Sequence, residues 1–201
     1  MPLRDHFRPP LSRERHWEAL HAAWAASIAD ALNRALPPGY FAEALTHAGA
    51  SAEIDVATFE ELTSSAPPGG VAVEPVVWAP PAPLATVPAV FADDFEVRVF
   101  SGRGGPTLVA AVELVSPANK DRPATRLAFA TKCAGYLHGG VSLIVLDVVT
   151  DRRATLHHDV LDQIGATAGR LPNDPPLYAA AYRPVRREEQ AEVDVLSLIH
   201  I

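Results

Sequence analysis

Helical spacing of apolar side chains is the clearest pattern in the chain. Between residues 13 and 36, tryptophan, leucine and isoleucine side chains recur with His21 every three or four positions. This spacing predicts an amphipathic helix that ends before a pair of prolines, with His21 as a half-buried packing residue. Residues 123–138 begin with a proline, precede two glycines and carry a second such stripe, which predicts another helix. A third helix is predicted over residues 157–167.

Runs of β-branched and aromatic residues predict the strands. Residues 95–100 alternate apolar and charged side chains, as is typical of a strand whose charged face meets solvent. Residues 141–149 are almost wholly apolar, as is typical of a strand covered on both faces. The order strand, helix, buried strand predicts that the last strand runs parallel to the strand before the helix. The predicted strands are residues 40–46, 52–59, 95–100, 108–115, 141–149 and 177–182, and the first two and the next two are predicted to form hairpins.

Length and composition indicate one domain. The chain has 201 residues, enough for one sizeable core, and we expect a single domain over residues 1–195 with a proline-rich excursion at 63–94. No apolar run is long enough to span a membrane and the N-terminus lacks a secretory pattern, so we expect a cytoplasmic protein with no membrane partner. Cys133, the single cysteine, is expected in the core. The net charge of −7 argues against general affinity for nucleic acid.

One carboxylate interrupts a run that otherwise predicts a buried strand. Glu113 lies among Val109, Ala111 and Val115, and an ionised side chain on such a face is costly to desolvate unless it is paired or used. Asp55 lies in another strand-like run, so two acids could converge from neighbouring strands, as in a divalent-metal site. The alternatives are that Glu113 pairs with a cation of the next helix (Arg126 or Lys132) or faces solvent, and that Asp55 ends a strand or caps a turn.

The order of helix, mostly antiparallel strands, helix and parallel strand resembles the core of the PD-(D/E)xK, or restriction-endonuclease-like, superfamily. The resemblance implies that Asp55 and Glu113 hold Mg²⁺ or Mn²⁺ and that a lysine helps to position the attacking water. Valine stands two residues after Glu113 where the motif has that lysine, and isoleucine stands before Asp55 where it has proline. Lys120 or Lys132 could supply the amine from a displaced position, and the alternative is that both are surface lysines.

Longer strings give a more specific resemblance. The sequence is similar to the bacterial family known as domain of unknown function 4058 through RHWEALHAAWAASIADALNRALPPGYFAE (15–43), EIDVATFE (53–60) and DDFEVRVF (93–100). It is similar also through VAAVELVSPANKDRPATRLAFATKCAGYL (109–137) and VSLIVLDVVTDRRATLHHDVL (141–161). Glu43, at the end of the first string, is a further candidate acid. This family implies no established activity, and its members run on beyond the end of this chain, so residues 196–201 are expected to be a non-native tail.

Together these features predict an α/β (α+β) protein with a restriction-endonuclease-like core, in which helices flank a central mixed sheet. The expected function is a divalent-metal-dependent phosphodiesterase acting on nucleic acid, with Asp55, Glu113, Lys120 and Lys132 as its site. The alternative is a non-catalytic interaction or regulatory domain on the same scaffold. A homo-oligomer, in which a second copy of the chain is the partner, is also possible from the sequence. Asp147, alone in an apolar run, needs backbone donors or an arginine if it is buried, or else it caps a strand end.

Overall fold

A six-stranded mixed sheet organises the part of the chain that the structure describes. The computed structural model describes residues 4–5, 7–47, 94–102, 104–188 and 190–200, and all of them belong to one compact unit. The strands are β1 (Tyr40–His47), β2 (Asp94–Ser101), β3 (Thr107–Leu114), β4 (Ser142–Asp147), β5 (Tyr178–Arg187) and β6 (Gln190–His200). The predicted strand at 52–59 and the excursion at 63–94 lie outside the described residues, apart from Asp94.

Two long helices and three short ones accompany the sheet in the described ranges. The helix predicted over residues 123–138 is confirmed at both ends, because a proline starts it and a glycine follows it. The helix predicted over 13–36 is divided, since the backbone is extended at Arg15 and His16 between its two parts. None of the described helices is long and apolar enough to cross a membrane. The helices are α1 (Leu11–Glu14), α2 (Trp17–Ala35), α3 (Pro117–Asp121), α4 (Pro123–His138) and α5 (Leu156–Gln163).

The strands lie side by side in chain order, from β1 to β6. Neighbouring strands are antiparallel throughout, except that β3 and β4 run parallel. A parallel pair needs a crossover connection, which α3 and α4 supply. The predicted parallel strand is thereby confirmed, and so is the mixed sheet flanked by helices.

Side chains alternate between two covered faces of the sheet. On the face that α2 covers, Val97, Val99, Val112 and Leu114 pack against alanines of that helix. On the opposite face, Ala111, Leu143 and Val145 pack against α4 and α5, with Cys133 buried among them as expected. Because successive residues of a strand point to opposite faces, Glu96, Arg98 and Glu113 lie on the face that α4 covers. A helix therefore covers a face that the charge alternation of β2 had predicted to meet solvent.

His21 on α2 is also more deeply buried than its sequence pattern predicts. The spacing predicts a half-buried residue, but the side chain is completely buried beside Trp17, with the two ring centroids 4.3 Å apart. Burial lowers the pKa of His21 to about 4, against an opposing contribution from a backbone hydrogen bond with Val115. His21 is therefore neutral at physiological pH.

Candidate functional site

Two glutamates face each other across the β2–β3 hairpin. Glu96 and Glu113 are direct cross-strand partners, and each is only 1% exposed. Directly opposite residues of antiparallel strands have Cβ atoms about 4.5–5.5 Å apart, and like charges in that position destabilise a sheet. Glu96 and Glu113, here called the acid pair, therefore need compensation from neighbouring groups.

Helix α4 supplies part of that compensation. Lys132 and Tyr136 are four residues apart and so lie on the same side of the helix. Nζ of Lys132 lies 2.9 Å from Oε2 of Glu113 and 3.7 Å from Oε2 of Glu96. The hydroxyl of Tyr136 donates to Oε2 of Glu96 at 2.8 Å. One ammonium thus bridges both carboxyl groups.

The remaining oxygen of Glu96 is satisfied from its own strand. Nε of Arg98, two residues along β2 on the same face, donates to Oε1 of Glu96 at 2.6 Å. Arg98 is 22% exposed and Lys132 is 25% exposed, while the glutamate side chains are 1% exposed. The two cations therefore separate the acid pair from solvent.

Glu113 is less completely satisfied. Its Oε1 is buried and has no N–H or hydroxyl donor among the residues that the structure describes. Burial raises the pKa of Glu113 well above its usual range, although the charge of Lys132 opposes the rise. For Glu96, burial also favours the proton, but a hydrogen bond from Glu113, the charge of Lys132 and the Tyr136 hydroxyl outweigh it and lower the pKa. The acid pair therefore titrates as one coupled unit, in which Glu113 takes up a proton more readily than Glu96.

The two predicted lysines have separate roles. Lys132 pairs with Glu113, which is one of the two ion pairs that the sequence left open. Lys120 is not a surface residue, because it is only 4% exposed. Its Nζ donates to Oδ2 of Asp147 at 2.9 Å and to the carbonyl oxygen of Val149 at 2.9 Å. A second buried ion pair thus lies at the last residue of β4 and joins it to α3.

Asp147 is fully buried and needs this partner. Its Oδ1 accepts the backbone N–H of Val149 at 3.0 Å, so the expected backbone donor is present. The cation is a lysine of helix α3 rather than an arginine. Ser116 is the N-cap of that helix, and its hydroxyl accepts the N–H of Asn119 at 3.3 Å in a reciprocal capping box.

The remaining predicted acids are Asp55 and Glu43. Asp55 lies outside the described residues. Glu43 is exposed on β1, where it is the cross-strand partner of Arg98. Among the described residues no group of three or more His, Cys, Asp or Glu side chains could hold a metal ion. The described site consists of two carboxylates, two cations and a phenol.

Sequence reasoning missed Glu96, Arg98 and Tyr136. Regular pairing outward from the turn could not have found the first of them, because Phe100 pairs with Leu108 and an unbroken register would put Glu96 opposite Val112. A register shift between Val99 and Phe100 brings Glu96 opposite Glu113. Tyr136 could have been found from its position one helical turn after Lys132. Only the placement of α4 over β2 shows that these groups are buried together.

Comparison with known proteins adds no assignment. No family model, curated protein or solved structure matches the chain. The fold and site therefore define a protein of mixed α+β class, with a six-stranded mixed sheet and a buried acid pair under α4. The similarity to domain of unknown function 4058 remains an expectation from the sequence.

Proposed function

We propose that the protein is a divalent-metal-dependent phosphodiesterase of restriction-endonuclease-like fold that acts on nucleic acid. The observation that carries this proposal is the constellation of Glu96, Glu113 and Lys132. Two carboxyl groups meet on adjacent strands, and one amine lies 2.9 Å from the first and 3.7 Å from the second. The order α2, three antiparallel strands, α4 and a parallel strand also supports the proposed fold.

The donor set fits Mg²⁺ or Mn²⁺. Such ions take hard oxygen ligands, and Mg²⁺ is commonly held by one or two carboxylates, with water and substrate phosphate in its other positions. Oε1 of Glu113 is a buried oxygen without a donor among the described residues. A bound ion would lower the pKa of a coordinated water and neutralise phosphate charge. Glu96 and Glu113 would hold it, and Asp55 stays a predicted further ligand.

The surrounding side chains have distinct parts in this proposal. Arg98 and Tyr136 each donate to a different oxygen of Glu96, so they fix the orientation of that carboxylate. Lys132 is partly exposed at the rim of the acid pair and would bring positive charge to a substrate phosphate. Lys120 has no part in the chemistry, because its ammonium is engaged by Asp147 and Val149.

The test is cleavage of labelled single- and double-stranded DNA and RNA with Mn²⁺ or Mg²⁺. We expect activity in the natural chain that Glu113→Gln and Glu96→Gln each reduce at least about a hundredfold, because each removes one charged metal ligand. Asp121→Asn is a matched control, since it neutralises an exposed acid that pairs with Arg152 elsewhere on the surface. Activity that survives both glutamine substitutions would refute the proposal.

The second candidate is a non-catalytic interaction or regulatory domain on the same scaffold. It is favoured by the burial of both glutamates and by the presence of Arg98, Lys132 and Tyr136 on their oxygens. In this candidate the acid pair and its cations only stabilise the fold and bind no metal ion. It predicts no heat of Mn²⁺ binding in titration calorimetry and no cleavage of any substrate. Micromolar Mn²⁺ binding that Glu113→Gln abolishes would exclude it.

A further inference from the structure

The ammonium of Lys132 occupies the position between the two carboxyl groups. Its Nζ contacts Oε2 of both Glu113 and Glu96, and those oxygens are the ones that a cation shared by the acid pair would contact. A divalent ion and the Lys132 ammonium therefore compete for the same oxygens. An ion on these oxygens would lie close to the ammonium, and the two positive charges would repel each other.

We propose that Lys132 is a built-in counter-cation that must leave the acid pair before a divalent metal ion binds. This inference rests on the proposed metal site and adds how that site is regulated. It makes the ammonium an internal competitor that keeps the acid pair stable without metal and sets the metal concentration at which the site fills.

Exposure makes such a movement feasible for Lys132. Its side chain is 25% exposed, while the side chain of Lys120 is only 2% exposed. A lysine has four rotatable bonds, so the Lys132 ammonium can turn into solvent while the stem stays on α4 beside Phe129, whose ring centroid is 6.0 Å from Nζ. Lys120 has no comparable route, because both ends of its pair are buried.

The other contacts of Glu96 would remain when Lys132 leaves. Arg98 is on Oε1, and the Tyr136 hydroxyl is on Oε2. Glu96 therefore keeps its orientation, whereas Glu113 loses its described cation. The free acid pair then has a strong requirement for positive charge, which a divalent ion meets.

The test is the affinity of Mn²⁺ for Lys132→Met, measured by titration calorimetry. Methionine keeps the unbranched stem and removes the charge. We expect it to bind Mn²⁺ at least about tenfold more tightly than the natural chain, because no internal cation has to be displaced. The same substitution should lower cleavage by the bound enzyme, so affinity and turnover change in opposite directions. Equal or weaker Mn²⁺ binding by Lys132→Met would overturn the inference.

Two control variants accompany this measurement. Arg126→Met removes a positive charge from the same helix at a place where the guanidinium pairs with Asp159 at 3.7 Å, and it should bind Mn²⁺ like the natural chain. Lys132→Arg keeps the positive charge at the acid pair and should show no tightening. Tighter binding in Arg126→Met would mean that general charge sets the affinity. Tighter binding in Lys132→Arg would mean that positive charge at the acid pair does not oppose the metal ion. Either result would also overturn the inference.

The design also covers a variant that does not fold. If Lys132→Met is unfolded without metal, then Mn²⁺ followed by circular dichroism must restore its structure, because the ion replaces the missing charge; failure to refold would overturn the inference. The two proposals can fail separately. Cleavage by the natural chain without tighter binding in Lys132→Met overturns only the displacement. Tighter binding in a protein that cleaves no substrate overturns only the phosphodiesterase.

Discussion

Replacement of Lys120 by methionine would test whether this lysine is structural. In the folded protein its ammonium lies 2.9 Å from Oδ2 and 3.2 Å from Oδ1 of Asp147, and both side chains are almost completely buried. Lys120→Met keeps the apolar stem and removes the positive charge. Asp147 then remains buried without a cation, and its described donors are the Val149 N–H and the Tyr178 hydroxyl. Removing one member of a buried ion pair costs about 3–5 kcal/mol of unfolding free energy.

The loss should depend on pH in a defined direction. Burial raises the pKa of Asp147 to about 6, with Lys120 opposing the rise. The folded state therefore holds the proton more tightly than the unfolded chain, so this group lowers stability as pH rises from about 4 to about 6. Without Lys120 the pKa of Asp147 rises further. The stability difference between Lys120→Met and the natural chain should therefore be largest at pH 7.5 and smaller at pH 4.5, where Asp147 is neutral.

The assay is urea denaturation at pH 4.5 and 7.5, followed by tryptophan fluorescence. The double variant Lys120→Met/Asp147→Asn should recover most of the loss, since neither charge remains and the asparagine oxygen still accepts from Val149. Arg126→Met is the matched control and should cost less than about 1 kcal/mol, because its ion pair is about one-third exposed. A loss below about 1 kcal/mol at pH 7.5 for Lys120→Met, or the same loss at both pH values, would refute the reasoning.

Two further predictions concern His21 on helix α2 and the N-cap of helix α3. His21 has a pKa near 4 when folded, so the unfolded chain takes up a proton first, and the stability contributed by this group should fall by about 3 kcal/mol between pH 6.5 and pH 4. Urea denaturation across this range should show that His21→Gln loses much of the slope, and an unchanged slope would contradict the assignment. Ser116→Ala removes the capping hydroxyl that accepts the Asn119 N–H, and it should lower the free energy of unfolding by about 1 kcal/mol. A calorimetric loss below about 0.3 kcal/mol would show that the cap contributes little.

Local pattern was a good guide to the elements themselves. The helix over Pro123–His138 begins and ends where predicted, because proline and glycine act on the backbone within one turn. The hairpin of β2 and β3 and the parallel strand β4 are likewise present. The division of the first helix was missed, since apolar spacing continues through Arg15 and His16 while the backbone does not.

The candidate site was only partly predictable. Glu113 stood out because it interrupts an apolar run, and its pairing with Lys132 was one of the possibilities considered. Glu96 was missed because charge alternation shows which residues share a face and does not show whether a helix covers that face. Lys120 was misjudged because its partner, Asp147, is 27 residues away in sequence.

The sequence by itself determined the hydrophobic periods, the approximate ends of α4 and of strands β1 to β4, and the costly position of Glu113. Each of these depends on interactions between residues that are near neighbours in the chain. Only the tertiary structure decided which charges meet. Whether Glu96, Lys120 or His21 is paired or meets water depends on elements that lie far away in sequence. These side chains lose their contact with water only after those elements have packed.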